Sequence, residues 1–410
     1  MNAVGVVVEY NPFHNGHAYH IEKARKETGA DVVIAAMSGN FLQRGEPALL
    51  SKWARTRMAL HGGCDIVIEL PYNFATQQAN SFASGAVALL EACGCRYLSF
   101  GSESGEIDDF LSTIHFLKES NDKYQHLIKQ FVQDGNSYPK ATSLAFKALS
   151  PHHDQTVDLS KPNNILGFQY ITAIQNQGAQ MAPTTVTRKN ADYHDESFNT
   201  STIASATSLR KALFANDGHI ENIQRYVPAA TYNGLMDYYN EFGLFHNWEH
   251  YWPFLQFRLI QSSPEELRNI YEVEEGIEYR LISAAQEAGS FSEFMENVKT
   301  KRYTWTRIQR ICVHILTNAS KEMMLKNNMP QYLRLLGMTD NGRKYLHHKK
   351  NALQLPMISR VSSKNEAELS LDIKASKVYG LAATSLQSKK LLKQDFLQPP
   401  VLLKTANGLQ

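Results

Sequence analysis

The chain has 410 residues, 43% hydrophobic and 20% charged, with a formal net charge of +2. That length supports a large core and two or three domains, and the composition excludes a disordered chain. No apolar run approaches the ~20 residues of a membrane-spanning helix, so no membrane contact is expected. Val4 to Val8 is too short, and lacks a preceding basic region, to read as a signal peptide. The four cysteines, Cys64, Cys93, Cys95 and Cys312, lack a zinc-site spacing. Structural thiols in a reduced, cytoplasmic protein are the expectation.

Taken in order, the first hundred residues alternate. "AVGVVVEY" from Ala3 predicts a strand, Val-rich and bounded by a turn. "GHAYHIEKARKETG" predicts a helix with Ala18, Ile21 and Ala24 on one face and Gly29 as its stop. "DVVIAAM" predicts a second strand, "SKWARTRMALHGG" a helix, "DIVIELP" a third strand, "SFASGAVALLEACG" a helix and "RYLSFGS" a fourth strand. Continuous apolar strands alternating with helices imply a parallel sheet covered on both faces, hence an α/β, Rossmann-like fold. Residues 107–177 read as mainly helical, 182–188 as a fifth strand, and 205–217 as a helix opened by a Ser/Thr cap. After Gly218 the strand signals stop. The remainder reads as a mainly helical domain with an irregular tail beyond about 340. The expected division is therefore 1–217 and 218–410.

Charge divides the second half. Residues 218–298 carry 13 acidic and 4 basic side chains, a net of −9, and residues 299–360 carry 13 basic and 2 acidic, a net of +11. Charge runs are usually solvated faces. Here the basic run is interleaved with Tyr303, Trp305, Tyr332 and Tyr345, which suits phosphate neutralisation and base stacking. Lys301, Arg302, Arg307 and Arg310 are its candidate nucleic-acid contacts.

The turn "NPFHNGH" joins the first strand to the first helix. Ligands of open parallel sheets bind there, and free N–H groups at a helix start favour an anion. His14 and His17, three apart, can donate to one phosphate, and Gly16 lets the backbone approach it. Such fixed donors suit a reaction in which charge grows on a polyphosphate. The plain alternative is a capped helix with two surface histidines. A zinc helix is disfavoured because the i, i+4 spacing and the neighbouring Glu are missing, although His20 adds a third nitrogen. No metal-ligand set is assigned. "GNFLQRGEP", holding Asn40, Gln43, Arg44 and Glu46, is a candidate small-substrate loop or lid, and Lys52 and Arg55 are candidate pyrophosphate contacts.

HNGH resembles the HIGH signature of the nucleotidyltransferase superfamily. "SATSLRKAL" resembles its second motif, with Arg210 as the basic residue. It departs from the usual pattern at Ala206 and Leu209, which leaves the donors open among Ser205, Thr207 and Ser208. "GVVVEYNPFHNGHAYHI", "MSGNFLQRGEPAL", "DIVIELPY", "SFGSE", "PNNILGFQY" and "TRKNADYHDE", in this order, resemble the bacterial tRNA(Met) cytidine acetate ligase family from residue 5 to about 213. "KRYTWTRIQR" fits that family's carboxy-terminal part.

The resemblance implies an ATP site made of Val7, Val8, Glu9, Tyr10, Asn11, Pro12, Phe13, His14, Asn15, Gly16, His17, Ala18, Tyr19 and His20, with Gly101, Asn163, Arg188 and Lys189. His14, His17 and Arg210 are its implied catalytic residues, with Mg²⁺ accompanying ATP. It implies activation of acetate as acetyl-adenylate, then transfer to N4 of the wobble cytidine of elongator tRNA(Met), with no protein nucleophile. No protein partner is inferred. The rival readings are a small-molecule adenylyltransferase, which would not need the basic run, and a non-catalytic RNA-binding protein.

Overall fold

The computed structural model describes residues 1–149, 156–188, 202–215, 219–383 and 385–404. The amino-terminal part runs β1 (Ala3–Val8), α1 (Asn15–Thr28), β2 (Val32–Ser38), α2 (Lys52–His61), β3 (Ile66–Leu70), α3 (Tyr72–Ala75), α4 (Ala79–Ala92) and β4 (Tyr97–Ser102). It continues through α5 (Ile107–Glu119), α6 (Asn121–Gln133), α7 (Tyr138–Leu149), α8 (Pro162–Gln177), β5 (Ala182–Thr187) and α9 (Ala206–Phe214). Every predicted strand and helix of this part forms among the described residues, the helix expected at 205–217 ending at Phe214 and residues 216 and 217 lying outside those described.

The five strands pair in the order β5-β4-β1-β2-β3, all parallel. Every residue of β2 and β3 is buried, because helices cover both faces. On one face Ile21 of α1, Trp53 and Met58 of α2, and Leu209 and Leu213 of α9 join one core cluster. On the other, Phe82 and Leu90 of α4, Phe110 of α5 and Ile174 of α8 join a second. The chain winds outward from β1 to β3, then crosses back to lay β4 on the other side of β1. The strand order thus reverses between β1 and β4, and their carboxyl ends frame the crevice where such sheets hold ligands.

Beyond residue 218 come α10 (Ala229–Phe242), α11 (Trp252–Gln261), α12 (Pro264–Arg268), α13 (Ile277–Glu287), α14 (Phe291–Val298), α15 (Trp305–Leu316) and α16 (Lys321–Leu325). Helices α11 to α16 share a third core cluster, which Phe41 and Tyr72 of the amino-terminal part also enter.

The expectation that strands end at Gly218 fails. β6 (Leu333–Thr339) pairs antiparallel with β3, and β7 (Met357–Ile358) and β8 (Val401–Leu403) pair parallel with β6. The tail expected to be irregular holds α17 (Asp340–Lys349), α18 (Ser370–Gly380) and α19 (Ser385–Leu397). A charge at its second position disguises β6. Arg334 is buried, lies 5.6 Å over the Trp53 ring, and donates to the carbonyls of Ile358 and Asp395. All four cysteines are buried and free. Among the described residues no helix is long and apolar enough to cross a membrane.

Candidate active site

A cleft of about 300 Å³ opens at the carboxyl ends of β1, β4 and β5. Its floor is the turn after β1. Tyr10 sits there with φ 52°, a left-handed conformation that costs a non-glycine residue about 1–3 kcal/mol. Packing holds it. Tyr10 is buried, with its ring edge-on to Phe13 at 4.7 Å and His17 at 4.9 Å. The Asn11–Pro12 peptide is cis, and Asn11 Oδ1 accepts from Leu49 N at 2.7 Å.

The two histidines cap α1 reciprocally. His14 Nδ1 accepts from Gly16 N at 3.0 Å, and His17 Nδ1 accepts from His14 N at 3.2 Å. A backbone N–H can only donate, so each neutral ring carries its proton on Nε2. The rings stack 3.7 Å apart. A Cβ on Gly16 would lie 2.9 Å from the His14 ring, so the glycine makes room for this cap. Burial pulls His14 down to about 3, with Arg188 and Arg210 adding to the effect. Burial lowers His17 well below its ordinary value, with His14, Arg188 and His20 contributing. His20, whose Nε2 lies 3.3 Å from Ser99 Oγ, is lowered to about 4 by burial and Arg188. At neutral pH all three are uncharged. The histidines do cap a helix, but they line the cleft rather than the outer surface.

Helix α9 supplies the second motif. Ser205 Oγ accepts from Ser208 N at 3.1 Å and lies 2.7 Å from Ser208 Oγ. Ser205 and Thr207 line the cleft, and Ser208 does not. Arg210 donates to Asn11 O and to Glu46 Oε2, both at 2.9 Å. One guanidinium thus ties the second motif to the first turn and to the 39–47 loop.

At the far end lies Gly101, with Phe82, Phe100, Leu166 and Tyr170 as an apolar wall. A Cβ on Gly101 would come 3.4 Å from Arg188 Cγ. Arg188, just past β5, donates to Asn163 Oδ1 at 3.4 Å. The adjacent asparagines divide the work. Asn164 is buried, and its Oδ1 accepts from the backbone of Glu103 and Ser104. Asn163 lines the cleft. Glu103, which sequence reasoning missed, accepts from Asn163 Nδ2 at 2.7 Å and Asn164 N at 2.8 Å. Its carboxylate sits at the start of α8, where the helix dipole favours it. Lys189 lies outside the described residues.

Several expectations need correction. Lys52 does not face the cleft. It is buried, with Nζ 2.7 Å from both Glu69 Oε1 and Asp395 Oδ1. Arg55 is fully buried and donates to the carbonyls of Leu50, Glu9, Ser38 and Gly39. Its role is to brace the backbone behind the cleft, and only the distant carbonyls reveal it. Asn40 is also structural, accepting from Lys52 N at 2.8 Å. Gln43, Arg44 and Glu46 of the same loop do line the cleft.

In the basic run, Lys301 and Arg302 are exposed. Arg302 and Arg307 approach Glu275 at 3.2 and 3.5 Å. Arg310 is buried, and its Nε and Nη2 contact Glu272 at 3.0 and 2.9 Å. It is consumed inside the fold and does not face a phosphate. Tyr303, Tyr332 and Tyr345 are core residues, and Trp305 is the exposed aromatic of the four.

A switch-point crevice with paired neutral histidines at one helix start and a Ser/Thr–Arg motif at another defines the HIGH nucleotidyl transferase class. The family model described as HIGH Nucleotidyl Transferase matches residues 1–395. The tRNA(Met) cytidine acetate ligase of Geobacillus sp. (strain WCH70) is 50% identical over 98% of this chain and 100% of its own. That of Bacillus subtilis (strain 168) is 49% identical over 93% of this chain and 92% of its own. The crystal structure of Thermotoga maritima TmcAL bound with alpha-thio ATP aligns with TM-score 0.88 and 34% identity, over 99% of this chain and 100% of that one. The apo form aligns with TM-score 0.90 at the same identity and coverage. The chain belongs to the tRNA(Met) cytidine acetate ligase family of HIGH nucleotidyl transferases.

Proposed function

We propose that the protein is an ATP-dependent ligase that activates acetate as acetyl-adenylate and transfers the acetyl group to N4 of the wobble cytidine of elongator tRNA(Met). The observation that carries this reading is the histidine pair, whose Nδ1 atoms are occupied by backbone N–H groups and whose Nε2–H donors remain for a ligand. Adenine stacks against Gly101 beside Asn163 and Arg188. The triphosphate lies over the start of α1, within reach of His14, His17 and Arg210. Acetate oxygen attacks the α-phosphorus, the P–O bond to pyrophosphate breaks, and the fixed donors stabilise the growing charge. The cytidine amine then attacks the acetyl carbon and AMP leaves.

Mg²⁺ would travel with ATP, held by phosphate oxygens and water as is usual for this ion. The ATP chemistry belongs to residues 1–217. Docking of tRNA belongs to 218–410, chiefly through Lys301, Arg302 and Arg307. An enzyme using acetyl-coenzyme A would have no use for a triphosphate cradle at two helix starts. Acetate-dependent ATP–pyrophosphate exchange tests the first step directly. Its presence supports the reading, and its absence with active, folded protein rejects it.

A further inference from the structure

Two carboxylates line the cleft among the described residues, and one of them forms no salt bridge with those residues. Glu46 is held by Arg210 at 2.9 Å. Glu9, directly after β1, makes no ion pair among the described residues. Its Oε1 accepts from Gln43 N at 2.8 Å, and its carbonyl accepts from Arg55 Nη1 at 2.6 Å. Oε2 has no hydrogen-bond partner among the described residues, and the side chain lines the cleft. One oxygen is thus anchored and the other is left for a ligand. A carboxylate repels a polyphosphate, so attraction of the triphosphate does not account for the free oxygen.

We infer that Glu9 is the general base of the acyl-transfer step, taking the proton from the attacking cytidine amine. This rests on the acetate ligase reading above. The first step needs no base, because acetate is already ionised. The second does need one. The N4 lone pair forms a bond to the acetyl carbon while the bond from that carbon to the AMP oxygen breaks. The electron pair leaves with AMP. The amine proton passes to Glu9 Oε2 and from there to water. A positioned base contributes roughly 10²–10⁴-fold to such a step.

The surroundings suit this role. Arg44 and Glu46 face Glu9 from the 39–47 loop, Arg210 from α9, Arg55 from α2 and Tyr170 from α8. Among these influences burial dominates and raises the Glu9 pKa, against the hydrogen bond from Gln43 and the charges of Arg44 and Arg210. A raised carboxylate is a stronger base that remains ionised above its pKa.

The test separates the two steps. Glu9→Gln keeps an oxygen for Gln43 N and removes the base. Because Glu9 also lines the ATP cleft, the readout is the ratio of the two steps: any loss in acetate-dependent ATP–pyrophosphate exchange should be at least about tenfold smaller than the loss in transfer. Transfer from preformed acetyl-adenylate to tRNA, in a single turnover, should slow by roughly 10²-fold or more. The wild-type transfer rate should fall as pH drops through the raised Glu9 pKa, and this limb should vanish in Glu9→Gln. Glu9→Asp, which keeps a carboxylate, should recover part of the rate. Wild-type transfer by Glu9→Gln, or equal losses in both steps, overturns the assignment in favour of a loop anchor. Failure of the wild-type protein to exchange pyrophosphate would instead reject the functional reading, and the base with it.

Discussion

A neutral imidazole can donate to a phosphate at any pH above its own pKa, and this fixes how His14 and His17 should behave. With His14 lowered to about 3 and His17 also lowered, both donors are present at neutral pH. As pH falls through the lowered values each ring keeps its Nε2–H, and what is lost is the Nδ1 acceptor that forms the cap. ATP–pyrophosphate exchange should therefore show no histidine limb near 6.5, the ordinary value. A rate that drops as pH rises through 6.5 would mean that imidazolium, not imidazole, acts. His17→Ala should slow exchange by about 10²–10³-fold, the scale for one preorganised donor. It should leave tRNA affinity unchanged in a filter-binding assay. The spacing of HNGH made the two rings legible in the sequence as a pair. Their tautomers were not, because these depend on backbone groups that come into position only when the turn folds. Glu103 and Arg55 were hidden for a related reason. Glu103 caps a helix about sixty residues along, and Arg55 braces carbonyls as far as Glu9.

At the scale of elements, the loop after β2 couples the cleft to the helical region. Gly45 has φ 76°, and a Cβ there would meet Arg310 N of α15 at 2.3 Å. Trp248 Nε1 donates to the Gly45 carbonyl at 2.9 Å. Gly45→Ala should therefore push this loop off α15 and lower the denaturation midpoint, through both the contact and the left-handed backbone. Arg310 gives a sharper test. Arg310→Ala strands Glu272 as a buried charge, which typically costs about 3–5 kcal/mol, measurable by urea denaturation. It should not change the salt dependence of tRNA binding. Neutralising exposed Lys301 and Arg302 should do the opposite, leaving stability nearly intact and flattening the logarithmic salt slope by roughly 0.7–0.9 per lost phosphate contact. Sequence alone treated these four cations as one patch, because a charge count does not distinguish a cation that meets solvent from one that meets Glu272.

Over the whole molecule, the amino-terminal half was legible because its strands are continuous apolar runs and its helices repeat at three and four residues. The return of the chain to β3 was not. β6 pairs with a strand more than 260 residues earlier, and its buried Arg334 breaks the apolar pattern. A buried ionic cluster locks this return: Lys52 of α2 touches Glu69 of β3 and Asp395 of α19. Burial raises Glu69 to about 7 even so, with Lys52 opposing the shift. Lys52→Ala should leave two carboxylates uncompensated and cost about 3–5 kcal/mol, read as a lower urea midpoint. The central claim remains the chemistry that this sheet positions. Incubating the protein with tRNA(Met), free acetate and ATP, then counting modified nucleosides by mass spectrometry against AMP and pyrophosphate, tests it most directly. The account predicts one AMP and one pyrophosphate for each N4-acetylcytidine formed, and no reaction when acetyl-coenzyme A replaces acetate and ATP. Acetylation from acetyl-coenzyme A without ATP, or ATP cleavage that leaves every cytidine unmodified, would contradict it.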